Sequence, residues 1–272
     1  MANKLKKKQI DLTSLIDQTL KVPTVKVDRK DFLTKRFADR VSKEKLNQIL
    51  ALGPYKAGIN RSELDNVAKA VIHKRSLKSA GLGFATGVPG GLAMAGTIPA
   101  DLYQFFGNSV VLAQELAYLY GHDDLWLDEH TDMEEARNEI IMFLGVMFSV
   151  AGTANALKFI SNGLSKQLLK KLPQKALTKT LYYPIIKKSL LYIGIKVNKD
   201  VFAKGVAKVV PVLGGAVGGT LTYISMRPMG NRLYKALSEA LVLSEEGLYD
   251  EYKAMKEYFP DIIDIDFSDI DN

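Results

Sequence analysis

Cysteine is absent from the chain, which excludes a disulfide scaffold, a cysteine nucleophile and thiolate metal ligands, and fits a reducing compartment. Positive charge is absent from residues 81–135, which hold no Lys or Arg but nine carboxylates, seven of them between Asp123 and Glu135. Strand-like alternation of apolar and polar residues is lacking before residue 261, and no fixed-period repeat is present. A continuous apolar leader is lacking too. Asp11 and Asp17 interrupt the segment a secretory signal would need, so none is expected.

What the 272 residues do contain is apolar: 47% are hydrophobic. That content offsets chain entropy and excludes disorder of the chain as a whole. The formal charge of +7 is the remainder of large opposing blocks. Residues 1–80 carry 19 basic and 8 acidic side chains, residues 136–235 carry 16 and 2, and residues 236–272 carry 2 and 11. Blocks of opposite sign can pair within the chain. The basic positions are not interleaved with stacking aromatics, and no helix-turn-helix, RNP or zinc-finger pattern occurs, so no nucleic-acid partner is expected.

Three stretches carry no charge: residues 79–100, 140–157 and 209–226. Each is near the lower length limit of a membrane span. The second opens on Ile140, Ile141, Met142, Phe143 and Leu144, whereas the other two are rich in Gly, Ala, Thr and Pro. Gly87 and Gly91 have G-x-x-x-G spacing, as do Gly214 with Gly218 and Gly215 with Gly219, which lets helices approach closely. Two readings stay open here, a buried helical core and partial insertion into a membrane.

Helical signals dominate elsewhere. Asn60 with Glu63 and Thr131 with Glu134 have capping-box spacing. A helix is expected from Leu102 to Gly121, a second from Thr131 to about Lys171, and a last one over about Arg227 to Phe259. Pro173 and Pro184 should divide the intervening chain, Asn198 is a plausible cap, and Pro211 a kink. The expectation is an all-α fold, a single multi-helix bundle-like domain with Gly-rich central helices. It divides into a basic helical region (1–59), a helical domain (60–258) and an acidic tail (259–272).

The catalytic motifs fail on context. Gly81, Gly83 and Gly87 imitate a dinucleotide fingerprint without the strand that must precede it. Gly53 and Gly58 have P-loop spacing, but Ile59 and Asn60 stand where Lys and Ser or Thr must be. His122, Asp123, Asp124, Asp128, Glu129, His130 and Asp132 are dense but lack a metal-binding spacing, so they read as a solvated loop, with Trp126 as its anchor. No G-x-S-x-G elbow occurs. Neither a metal nor a cofactor is expected, and no catalytic residue can be named.

Asp101 is the one charge between Lys78 and Glu115, and an isolated charge among apolar residues needs a partner. It joins Thr97, Gln104, Gly87 and Gly91 as a candidate ligand or partner site. Lys166, Lys170, Lys171, Lys175, Lys179, Lys187 and Lys188, spread among Leu, Ile and Tyr, read either as a solvated face or as a basic amphipathic surface. With Lys4, Lys6, Lys7 and Lys8 it would be drawn to anionic lipid.

At Gly83 to Asp101, GFATGVPGGLAMAGTIPAD, continued by Gln104 and by LAYLYG ending at Gly121, the chain resembles the bacterial EcsC family. Val210 to Gly219, VPVLGGAVGG, is similar to a glycine-rich stretch near the family's C-terminal end, so the resemblance covers about residues 60–255. His122 departs from it, since a tryptophan or another residue is expected after Tyr-Gly. The resemblance implies an intracellular helical protein linked to an ABC transporter of protein secretion, with no enzymatic activity to carry over. The expectation is therefore a cytoplasmic protein, peripheral to or partly inserted in the membrane, whose partner is anionic lipid or a membrane protein such as an ABC transporter. The alternative is a soluble helical enzyme or small-ligand binder with a pocket near Asp101.

Overall fold

The computed structural model describes residues 11–81, 100–126, 133–165, 177–207, 217–262 and 264. Among them there is no strand, and ten α-helices follow one another. They are α1 (Leu12–Leu20), α2 (Arg29–Phe37), α3 (Lys43–Leu52), α4 (Arg61–Gly81), α5 (Ala100–Leu119), α6 (Met133–Met147), α7 (Thr153–Ser165), α8 (Tyr183–Ala207), α9 (Val217–Ala240) and α10 (Glu245–Tyr258). A 3-10 turn, Pro23–Val25, links α1 to α2, and a π-helical turn, Leu177–Tyr182, leads into α8.

Local chemistry sets several of these boundaries. Asp11, Asp28, Ser42 and Ser244 each accept a backbone N–H at a helix start, satisfying donors that have no partner inside the helix. Asn60 does the same for Glu63 at 2.8 Å, as the sequence led us to expect. α5 ends where Gly121 takes φ +92°, the left-handed conformation that glycine enters without steric cost.

α9 is the organising element: it packs on α4 most extensively and also on α5, α6 and α7. Its partner α4 buries Leu64, Val67, Ala68, Val71 and Ile72, the i, i+3, i+4, i+7, i+8 stripe of a helix with one apolar face. The backbones come close at Gly230 of α9, where an added Cβ would stand 2.9 Å from Ile72 and 3.1 Å from Leu112. A second close approach joins α6 and α8, with Ser189 Oγ 2.6 Å from the Cβ position of Gly145. α1 and α2 lie on α5, and α10 covers α7. The core is continuous from Leu15 and Phe37 through Leu112 to Tyr252.

Three expected boundaries differ. The helix expected from Thr131 to Lys171 is two helices, because Ser149 (φ +62°) and Gly152 (φ +85°) turn the chain between α6 and α7. The helix expected over Arg227–Phe259 breaks between Ala240 and Glu245, where Ser244 caps α10, and Pro228 is carried inside α9. Asn198 lies within α8 rather than at a helix start. The most lipid-like stretch, 140–157, is thus a helical hairpin. Ile140, Ile141, Met142, Phe143, Leu144, Ala156 and Leu157 are buried against the core. No helix among the described residues is long and apolar enough to cross a membrane.

Candidate functional site

Apolar burial should leave few large hydrophobic side chains at the surface of one element. α8 departs from this. Tyr183, Leu191, Tyr192 and Ile195 are 60%, 61%, 45% and 57% exposed, although the opposite side of the same helix buries Ile185, Ile186, Ser189 and Ile193 against the core. Wound at 100° per residue, the exposed positions run in the order Tyr183, Lys187, Leu191, Ile195, Tyr192 over about half the circumference, with half-buried Pro184 and Lys188 among them. Lys187 and Lys196 are exposed beside these apolar groups. Lys188 is held, its ammonium lying over the rings of Tyr258 and Phe259 and donating to the Tyr258 carbonyl at 3.1 Å.

Beside this face, α1, α6 and α8 enclose a groove of about 380 Å³ lined by Thr13, Glu134, Arg137, Asn138, Tyr183 and Lys187, with Ile186, Leu190 and Leu191. That size lies within the range of ligand pockets, roughly 300–1,000 Å³. Arg137 reaches Asp17 with one terminal nitrogen at 3.5 Å, and its Nε is buried with no hydrogen-bond partner among the described residues.

A second constellation joins three helices. Nδ1 of His122, just past α5, is 2.6 Å from Glu139 Oε1 on α6, and its Nε2 is 3.2 Å from Ser161 Oγ on α7. Phe143 stands edge-on to the imidazole at 5.3 Å. Serine, histidine and carboxylate are thus in the order of a hydrolase relay. The surroundings are not those of one. Ser161 is in mid-helix, so the amides beside it are used by the helix ladder and cannot form the backbone oxyanion site that a strand-to-helix elbow provides. The chain Ser161–His122–Glu139 is a tether between α5, α6 and α7. Arg29 fixes the same corner, its Nε donating to the His122 carbonyl at 3.0 Å and its Nη1 to the Leu50 carbonyl at 2.7 Å. One guanidinium thereby meets the carbonyl ends of α3 and α5, where a cation is favoured.

Residues nominated from sequence fall as follows. Asp101 begins α5 in its first turn. Gln104 is half-buried on the same helix. Thr97, Gly87, Gly91, Gly214, Gly215, Lys4, Lys6, Lys7, Lys8, Lys166, Lys170 and Lys171 lie outside the described residues, and Gly218 and Gly219 fall in the first turn of α9. Among the described side chains, a buried acid with a charged partner is Glu115, held by Arg75 in two bonds of 2.7 and 2.6 Å. His122 is a partnered part of the interior rather than a member of a solvated loop, and among the described residues no acid or histidine cluster could hold a metal. Trp126 does anchor its loop: the indole donates to Gln114 at 2.6 Å, under the Lys26 ammonium at 4.6 Å. Sequence reasoning missed Glu139, Ser161, Arg137 and the apolar half of the α8 face. For α8 a signal existed, since Tyr183, Lys187, Leu191 and Ile195 recur every four residues.

These elements define an all-α protein whose described surface gathers apolar and cationic side chains on one helix. Compared with protein-family models, curated proteins and solved structures, the chain matches none.

Proposed function

We propose that the chain is a peripheral protein of an anionic membrane surface, docking through the exposed face of α8. The observation that carries the reading is the exposure of Tyr183, Leu191, Tyr192 and Ile195 beside Lys187 and Lys196. Aromatic and aliphatic side chains with interleaved lysines suit the headgroup boundary, where the apolar groups enter and the ammonium groups stay with phosphate. Each apolar side chain is worth about 1.5–3 kcal/mol when fully buried, and each lysine near an anionic surface about 1 kcal/mol. Such a sum gives reversible binding that needs both contributions. The residues from 136 to 235, 16 basic against 2 acidic, add the matching charge. The EcsC resemblance points the same way, with a membrane transporter as a further partner.

The test is flotation with neutral and anionic liposomes at low and high salt. Wild-type protein is expected to float with anionic vesicles at low salt. Lys187→Gln with Lys196→Gln should weaken this binding and flatten its salt dependence. Leu191→Ser with Ile195→Ser should abolish it while leaving the unfolding midpoint unchanged, because neither side chain is in the core. Protein that stays at the bottom in every condition would overturn the lipid reading.

A further inference from the structure

We propose that the groove between α1, α6 and α8 is a binding site for the phosphate of a lipid headgroup, with Arg137 and Lys187 as its cationic partners. The source of the phosphate rests on the membrane reading above; the anion subsite does not.

Arg137 supplies the first argument. Among the described residues its Nε is buried without a partner, and its only ion pair is a loose 3.5 Å contact to Asp17. A guanidinium presents its donors as a fork that matches two oxygens of one phosphate. The Arg137 side chain lines the groove and is 29% exposed, so its guanidinium can donate to a ligand oxygen there. Lys187 lines the same groove from α8, is exposed, and makes no ion pair among the described residues. The lining holds two cations, Arg137 and Lys187, and one carboxylate, Glu134, while Asp17 meets Arg137 from outside it. Thr13 and the nine-tenths buried Asn138 bring further hydrogen-bonding groups.

The rest of the lining decides the ligand class. Tyr183, Ile186, Leu190 and Leu191 form its other side, and Tyr183 and Leu191 continue onto the exposed face of α8. A free anion has no use for four apolar walls. An amphiphile does, because its phosphate can meet Arg137 and Lys187 while the first carbons of its acyl chains lie along Tyr183 and Leu191. The groove and the face are then one device, in which the helix that enters the headgroup layer also holds one lipid by its head.

The experiment measures thermal unfolding and binding with dihexanoyl phosphatidylglycerol below its micelle concentration, alongside glycerol 3-phosphate and inorganic phosphate. The short-chain lipid is expected to raise the unfolding midpoint, and the two soluble phosphates to do so only weakly. Lys187→Gln, an exposed change that should leave folding intact, and Arg137→Gln should each raise the Kd for the short-chain lipid about tenfold or more, as expected for loss of one charge-assisted contact. Equal effects of lipid and inorganic phosphate would overturn the lipid headgroup in favour of a free-phosphate site. No midpoint shift with the short-chain lipid, in protein that still floats with vesicles, would overturn the groove and leave the α8 docking face standing. A shift without flotation would keep the groove and remove the docking face.

Discussion

The imidazole of His122 and the carboxylate of Glu139 are joined by a 2.6 Å hydrogen bond between helices. Both side chains are mostly shielded from water, at 15% and 25% exposure. Loss of His122 strands two partners at once, Glu139 and Ser161. His122→Ala should therefore cost about 1–3 kcal/mol, and Glu139→Gln less, since an amide oxygen still accepts. Ser161→Ala should cost least, because a half-buried hydroxyl loses a single bond. Urea unfolding measures all three. A fluorophosphonate probe should leave Ser161 unlabelled; labelling that disappears in Ser161→Ala would turn the tether into a nucleophile.

Why this link was illegible in the sequence is a matter of distance along the chain. Asn60 and Gly121 declare helix ends through their immediate neighbours, so those boundaries could be read directly. His122, Glu139 and Ser161 stand on three separate elements, and no local spacing relates them. The break between α6 and α7 was hidden for another reason. Ser149 adopts a left-handed conformation that serine rarely takes, and no proline marks the turn. Charge patterning found lysines of α8, but the apolar half of that face looks in sequence like ordinary core. Only the packing of Ile185, Ile186 and Ile193 shows that Leu191 and Ile195 are left outside.

Glu115 is 4% exposed and Arg75 21%, so their ion pair is largely dry. Removing one member leaves the other charge unmatched, and Arg75→Met should cost about 3–5 kcal/mol. The double change Arg75→Met with Glu115→Leu should recover most of that loss, because no charge is then buried alone. Denaturant midpoints of the two single variants and the double variant form the cycle that decides it.

Gly152 and Gly121 both have positive φ, +85° and +92°, yet their surroundings differ. A Cβ at Gly152 would fall 2.5 Å from Tyr258 Cβ and 2.8 Å from the Phe259 ring, whereas at Gly121 it meets nothing within 4 Å. Gly121→Ala should cost only backbone strain, about 1–3 kcal/mol. Gly152→Ala carries similar strain and also forces α10 off α7, so its loss should be larger. Thermal unfolding of the two variants, and proteolysis near residue 258, separate strain from displacement.

Asn108 is 1% exposed in α5, and among the described residues neither its amide nitrogen nor its oxygen has a hydrogen-bond partner. An unpaired buried amide is destabilising, and leucine is close to it in size. Asn108→Leu should therefore raise stability by about 1–3 kcal/mol in urea unfolding.

Burial pushes the hydroxyls of Tyr118, Tyr120 and Tyr182 well above the usual 10.0. Asp124 reinforces the effect at Tyr118, Asp65 at Tyr120 and Glu139 at Tyr182. The folded protein keeps these protons where the unfolded chain releases them. Their contribution is complete below pH 10 and is lost as pH rises beyond it toward the folded values. Stability should fall steeply above pH 10, and absorbance titration of folded protein should show at least three tyrosines that ionise only with unfolding.

The place of α9 in the chain sets a timetable for synthesis. α4 is finished at Gly81 and the α6–α7 hairpin at Ser165, yet α9, which packs on all three, begins only at Val217. Tyr258 and Phe259, which close over the hairpin turn at Gly152, emerge later still. At roughly 5–20 residues per second on the ribosome, the apolar faces of these helices wait on the order of ten seconds for their partner. Over that interval Leu64, Val71, Ile140 and Phe143 are exposed to holding chaperones, and truncation before residue 217 should yield a chain that aggregates rather than a smaller folded unit.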